Sequence, residues 1–195
     1  MEFALGFKKA TVAVLDEAGK AVASKTYVLE GNGKGGTVSA KISGLESPST
    51  TVSASDGAYH TSMSGVGAPK LDLEVVELTQ EQKAAILGHK YEDGMLKVGK
   101  DTRAPYCAVI LESTDKDGKP VYISLLKGKF TADSVEIATA EADKAAEGNN
   151  TTLTGTFETR GDGLAYVAGH EADEAFTYEA FEALVFPAVD PEPAG

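Results

Sequence analysis

Apolar and polar side chains alternate with a period of two along most of this chain, in short runs broken by clusters of Gly, Asp, Asn and Ser. That period puts successive side chains on opposite faces of an extended strand, so the chain must build sheets with one buried face. Residues 11–15, 21–29, 38–42 and 50–54 follow it, divided by the turn-forming stretches DEAGK, EGNGKGG and SGLESPS. The first two runs read as a hairpin turning near Ala18 and Gly19. Residues 58–66 form a weaker strand of small side chains, and in 71–75 Leu71, Leu73 and Val75 alternate with Asp72 and Glu74. Six strands therefore precede any helix.

The first helix is marked by its ends. Thr79 and Gln82 have the spacing of a capping box, and Gly88 supplies the left-handed exit. Ala84, Ala85, Ile86 and Leu87 give it an apolar side, which suits a flank on a sheet. Asp93-Gly94 then marks a tight turn. Residues 105–112 and 121–130, joined at Asp117-Gly118, are apolar on both alternations in YCAVIL and VYISLL, so both faces are expected to be buried at the centre of a sandwich. In 151–159 Leu153, Gly155 and Phe157 point one way and Thr152, Thr154, Thr156 and Glu158 the other, giving a hydroxyl-rich, mildly acidic outer face. A last helix starts at Thr177, with Phe176 and Phe181 placed as a hydrophobic staple and Tyr178, Phe181, Leu184 and Val185 near one face. The expected organisation is one unit over residues 1–186 with a long Ala-, Glu- and Asp-rich loop at 138–150. Residues 187–195, with three prolines, make a flexible acidic tail.

Charge is segregated. The net charge is -12, yet the sixteen basic and sixteen acidic side chains of residues 1–130 cancel. After residue 130 only Lys144 and Arg160 stand against fourteen acids. This balance argues against tight, nonspecific binding to duplex phosphate as the main function. Two readings of the acidic third stay open: a well solvated region, or a surface that must repel a polyanion or a neighbouring copy. No apolar run approaches the ~20 residues that cross a bilayer, and MEFALGFKKATVAV lacks the pattern of a signal peptide, so a soluble protein without membrane contact is expected. A single cysteine, Cys107, leaves no internal disulfide.

Motifs for chemistry are missing where they would be sought. EGNGKGGT lacks the Gly-Lys-Ser/Thr order and the following helix of a phosphate loop. Asp115, Asp117 and Gly118 read as a turn, without the further acids of a calcium loop. His60, His89 and His170 have no ligand spacing and read as surface or loop side chains. Cys107, in an apolar strand, reads as a buried inert thiol. Glu171, Asp173 and Glu174 lie in a polar run with no sign of the cleft that a pair of catalytic acids requires. The expectation is a protein that is not an enzyme, with no catalytic, cofactor-binding or metal-binding residues.

The order of the segments carries more. Leu87, Gly88 and His89 end the short helix. Ala104, Pro105 and Tyr106 open a strand, Lys127 to Phe130 (Lys-Gly-Lys-Phe) end one, and Leu153, Gly155 and Thr156 lie in the Thr-Leu-x-Gly-Thr strand after the long loop. In this order and spacing, residues 78–186 resemble the major tail proteins, or tail tube proteins, of long-tailed bacteriophages of Gram-positive hosts. Residues 1–77 agree in element order. The departure is ATAEADKAAEGNN, which replaces a Lys-Gly-rich, aromatic-bearing loop.

The resemblance implies a mainly β fold, a tail-tube-like β-sandwich of short antiparallel strands with one flanking α-helix and a short C-terminal helix. It also implies copies that assemble into stacked hexameric rings forming a conduit for DNA ejection. Partners would be further copies of the chain and other tail proteins, such as the tape measure and the tail terminator, with DNA passing through unbound. The place would be the virion tail, after a stay in the host cytoplasm. On this reading Thr152, Thr154, Thr156 and Glu158, with Asp133 and Glu136 from the preceding strand, are candidates for the channel wall. Ala140, Glu141, Asp143, Lys144, Glu147 and Asn149 are candidates for a contact between subunits. The competing reading is a monomeric β-sandwich module for adhesion or ligand binding.

Overall fold

A computed structural model of the chain describes residues 5–31, 35–47, 50–54, 57–62, 65–132 and 150–188. The elements run β1 (Leu5–Leu15), β2 (Ala21–Glu30), β3 (Thr37–Ser43), β4 (Thr50–Ala54), β5 (Gly57–Ser62), β6 (Lys70–Val75), α1 (Gln80–Leu87), β7 (Lys90–Glu92), β8 (Met95–Lys97), β9 (Cys107–Thr114), β10 (Pro120–Thr131), β11 (Thr151–Phe157), β12 (Tyr166–His170) and α2 (Tyr178–Val185). Eight strands form one sheet in the order β2-β1-β9-β10-β11-β6-β3, with β12 also paired to β10, while β4–β5 and β7–β8 are separate hairpins. Every pairing in the main sheet is antiparallel. No helix among the described residues is long and apolar enough to cross a membrane.

A bulge in β10 shapes this sheet. Leu125 pairs with Val109 but Gly128 pairs with Cys107, so an extra residue is inserted at Leu126 and Lys127. Such an insertion bends a strand and reverses which side chains face inward. Leu125 before it and Phe130 after it therefore pack in the same core. The first half of β10 lies between β9 and β12, and the second half pairs with β11. Residues from both ends of the sheet, among them Val12, Leu29 and Val109 on one side and Leu71, Leu73 and Leu153 on the other, meet in one cluster. The sheet thus folds over itself into a sandwich, and the Thr37 hydroxyl of β3 donates to the Phe7 carbonyl of β1 at 3.0 Å.

The other face of the central strands is buried by α2. Ala108, Ile110, Tyr122 and Leu126 pack with Phe181 and Val185, which is why β9 and β10 are apolar on both alternations. Phe181 and Val185 are almost fully buried, worth ~1.5–3 kcal/mol each by apolar burial. Phe176 stands as the staple residue, with its ring centroid 5.7 Å from that of Phe181. At α1 the Thr79 hydroxyl accepts the Gln82 amide at 3.2 Å and the Gln82 side chain accepts the Thr79 amide at 2.9 Å. Gly88 ends the helix at φ 71, with its α-carbon packed so closely on the Arg103 carbonyl that a β-carbon would lie 2.0 Å from it.

Several boundaries differ from the sequence expectation. β1 begins at Leu5 because bulges at Phe7 interrupt the alternation while pairing with β9 continues. β12 was not expected, and it places His170 in a strand. Asp93-Gly94 joins two three-residue strands, both turn residues having positive φ. Pro187, expected to begin the free tail, accepts the Ala21 amide at 2.8 Å, and Ala188 bridges Ala21. Residues 189–195 and 133–149 fall outside the described residues.

Two glycines allow the fold-over to close. Phe130 and Phe157 pack edge to face with centroids 5.7 Å apart. A β-carbon on Gly128 would lie 2.4 Å from the Phe157 ring, and one on Gly155 would lie 2.5 Å from it. Gly128→Ala is expected to cost ~1–3 kcal/mol in denaturant unfolding, the usual cost of overpacking. Gly161→Ala, which meets nothing within 4 Å, should stay within ~0.5 kcal/mol. Equal stability of the two variants would show that the ring contact tolerates displacement.

Candidate assembly surface

The half-sheet β11-β6-β3 turns its apolar side chains into the core, so its outer face carries the alternate ones. The register lines them up in rows: Ser43, Lys70, Thr156 and Lys129; then Lys41, Asp72, Thr154 and Thr131; then Ser39, Glu74 and Thr152. The rows are cross-linked by side-chain hydrogen bonds. Ser39 and Asn150 donate to the two oxygens of Glu74 at 2.9 and 2.8 Å, and the Thr154 hydroxyl donates to Asp72 at 3.2 Å. The bonds from Asn150 and then Ser39 hold the Glu74 carboxyl below the usual glutamate range.

Past the bulge, β10 adds Lys127 and Lys129 to this face. Lys127 donates to Glu158 at 2.8 Å, and both ammonium groups stand over the Tyr106 ring, 4.4 and 4.5 Å from its centre. The hydrogen bond to Lys127 keeps Glu158 ionised below its ordinary range, and the same bond raises the Lys127 pKa.

Of the residues singled out in the sequence, Thr152, Thr154, Thr156 and Glu158 share this outer face. Asp133 and Glu136, and Ala140, Glu141, Asp143, Lys144, Glu147 and Asn149, fall outside the described residues. The mild acidity read for β11 alone does not extend across the face, because the neighbouring strands contribute Lys41, Lys70, Lys127 and Lys129 against Asp72, Glu74 and Glu158. Lys70, Asp72 and Glu74 were readable as the polar half of an alternating strand. Lys127 and Lys129 were hidden by the bulge.

Cys107 and Asp115 lie where the sequence reading put them, in a buried strand and in a turn. Cys107 is fully buried, and burial pushes its thiol up to about 12. Asp115 closes the turn between β9 and β10 by accepting the amides of Asp117 and Lys119, each at 2.8 Å, and its other oxygen meets His170 Nε2 at 2.9 Å. Burial opposes ionisation of Asp115, but the Lys119 amide, the His170 ring and the Asp117 amide together hold its carboxyl below the usual range. His170 is thus half-buried at the end of a strand and braces a turn, where a surface or loop side chain was expected.

Among the described residues the chain is a folded-over antiparallel sheet flanked by α1 and α2, with β2 and β3 at its edges and a broad hydrogen-bonded polar face. A family model described as phage tail tube protein matches residues 3–192, nearly the whole chain of 195 residues. The chain therefore belongs to the phage tail tube protein family and is a structural tail tube subunit. No curated protein matches it.

The Lys127–Glu158 pair should show in a titration. Because the Glu158 pKa is depressed and that of Lys127 raised, the pair's contribution is full between the two ranges. It is lost as pH falls through the lowered Glu158 value or rises through the raised Lys127 value. The side-chain carboxyl signal of Glu158 in a carbon NMR titration should have its midpoint below the ordinary ~4.3. Lys127→Met should move it back toward that value, and an unmoved midpoint would assign the depression to another group.

Proposed function

We propose that this chain assembles into stacked hexameric rings forming the tail tube of a long-tailed phage of a Gram-positive host, and that DNA leaves the virion through that tube. The family match over residues 3–192 carries the reading. The ordered motifs at Leu87 to His89, Ala104 to Tyr106, Lys127 to Phe130 and Leu153 to Thr156 support the narrower host assignment. Sheet edges unpaired among the described residues, along β3 and the second half of β2, give assembly a physical basis, since unpaired strand donors and acceptors are satisfied when a neighbouring copy pairs with them. The tape measure and tail terminator are the further partners on this reading. The subunit resides in the host cytoplasm before it joins the tail.

The polar face is our candidate for the channel wall. DNA must slide past without being held, and binding to phosphate grows with the number of cations that displace counterions. Here the four lysines exceed the three carboxylates by one, Lys127 is already paired to Glu158, and hydroxyls fill the rows between, so the face is close to neutral and offers few unpaired cations to phosphate. Asp133 and Glu136 would extend the acidic share. Residues 138–150 are our candidate for the contact with the adjacent subunit or ring, on the ground that long connections tend to be functional.

Negative-stain microscopy of the pure, concentrated protein should show rings or tubes. Featureless particles that stay monomeric in sedimentation would favour the monomeric adhesion or ligand-binding sandwich instead. Replacing 140–147 by a tight turn should leave a folded protein that no longer elongates tubes. Thr154→Lys with Thr156→Lys should still give tubes but slow DNA release from the virion, and unaltered release would place this face away from the channel.

A further inference from the structure

The β7–β8 hairpin exposes apolar surface. It pairs with no other strand among the described residues, it packs mainly on α1, and a two-stranded hairpin of this size is marginal in water. Tyr91, Met95 and Val98 are nevertheless 45%, 55% and 64% exposed. The register also sets Lys90 directly opposite Lys97, a like-charge pair that destabilises a hairpin. Glu92, directly opposite Met95, and Asp93 offset Lys97 at 3.1 and 3.9 Å, while Lys90, on the same face, is exposed and leaves that face with two lysines against one glutamate.

Elsewhere on the molecule the sandwich has an apolar groove. Phe7, Ile42 and Leu45 form one side, and Val121 and Ile123 of β10 the other, around a space of about 370 Å³. Val121 and Ile123 also line a second space of about 500 Å³, which continues past Ala168 along β12, a strand paired on one side only among the described residues. The rim is acidic: Asp173 lines the second space, and Glu171 and Glu174, both exposed, lie in the same turn.

We propose that the β7–β8 hairpin of one copy docks in the groove beside β12 of the next copy, with Met95 seated between the layers, Val98 at the margin of the contact and Lys90 facing the acidic rim. The inference rests on the tube reading above and names the surfaces that join its subunits. The charges match in sign, the two apolar surfaces would cover one another, and methionine adapts to an irregular gap. Hairpin and groove belong to different parts of one copy, so each contact leaves a hairpin and a groove unused. Such head-to-tail contacts close into rings or continue as filaments.

Sedimentation of variants tests it. Met95→Asp and Ala168→Trp alter exposed positions, so each should melt like the wild type yet associate at least about tenfold more weakly, the order expected from losing one buried apolar anchor. Mixed together they retain one intact hairpin and one intact groove, and should form dimers that grow no further. A disulfide test does not depend on assembly strength: Val98→Cys mixed with Ala168→Cys should cross-link on oxidation, while Val98→Cys mixed with Ala18→Cys should not. Cys107, fully buried, stays outside the reaction. If the wild type forms tubes and both variants form them equally well without the specific cross-link, the docking is overturned and the tube reading stands. A wild type that stays monomeric at every concentration overturns the tube reading, and the docking with it.

Discussion

One inserted residue in β10 allows a single sheet to serve two layers. Just ahead of the bulge at Leu126 and Lys127, Leu125 faces the sandwich core, while Tyr122 and Leu126 lie on the opposite face under α2. Behind it, the outer face opens to solvent and carries Lys127 and Lys129 over Tyr106. Without the insertion, strict alternation would turn Lys127 and Lys129 into the core and Gly128 and Phe130 outward. The close approach of Phe157 to Gly128 follows from the same bend, since only a residue without a side chain leaves room for the ring.

The second anchor is the aromatic group under α2. Tyr122 has Phe176, Tyr178 and Phe181 around its ring at centroid distances of 5.0 to 5.7 Å, and its hydroxyl donates to Glu171 at 2.9 Å. Gly169 lets Phe176 lie against β12, where a β-carbon would fall 2.1 Å from the ring. Sheet, helix and final strand are thereby joined at one tyrosine. The Asp115–His170 contact ties the same strand to the turn between β9 and β10.

Much of this was legible in the residues, for physical reasons that also mark where legibility stopped. Leu71, Leu73 and Val75, or Leu153 and Phe157, alternate because one face is buried, and the caps of α1 were readable because they are local. The double burial of β9 and β10 showed as apolar runs. By contrast, β12 reads Tyr-Val-Ala-Gly-His, with small residues where Phe176 covers it, so its alternation is faint. β7 and β8 have three residues each, too few for a period, although Asp93-Gly94 gave away the turn between them. Lys127 and Lys129 of the polar face were missed because parity counted along β10 fails at a bulge. The partnership of Asp115 with His170, 55 residues apart, leaves no local trace.

The edge strand β2 has a further consequence. Its pairing with β1 is regular from Thr26 to Glu30, but between Ala13 and Leu15 of β1 the register jumps and β2 bows outward, with the Thr26 hydroxyl turned back onto the Val22 carbonyl. At its start, the Ala21 amide is already held by Pro187. An incoming strand therefore finds a straight ladder only along the second half of β2. Residues 187–188 and a local bow act together as a stop, which would limit how far a second sheet could overlap β2 and which denies the long, flat edge from which indiscriminate stacking begins.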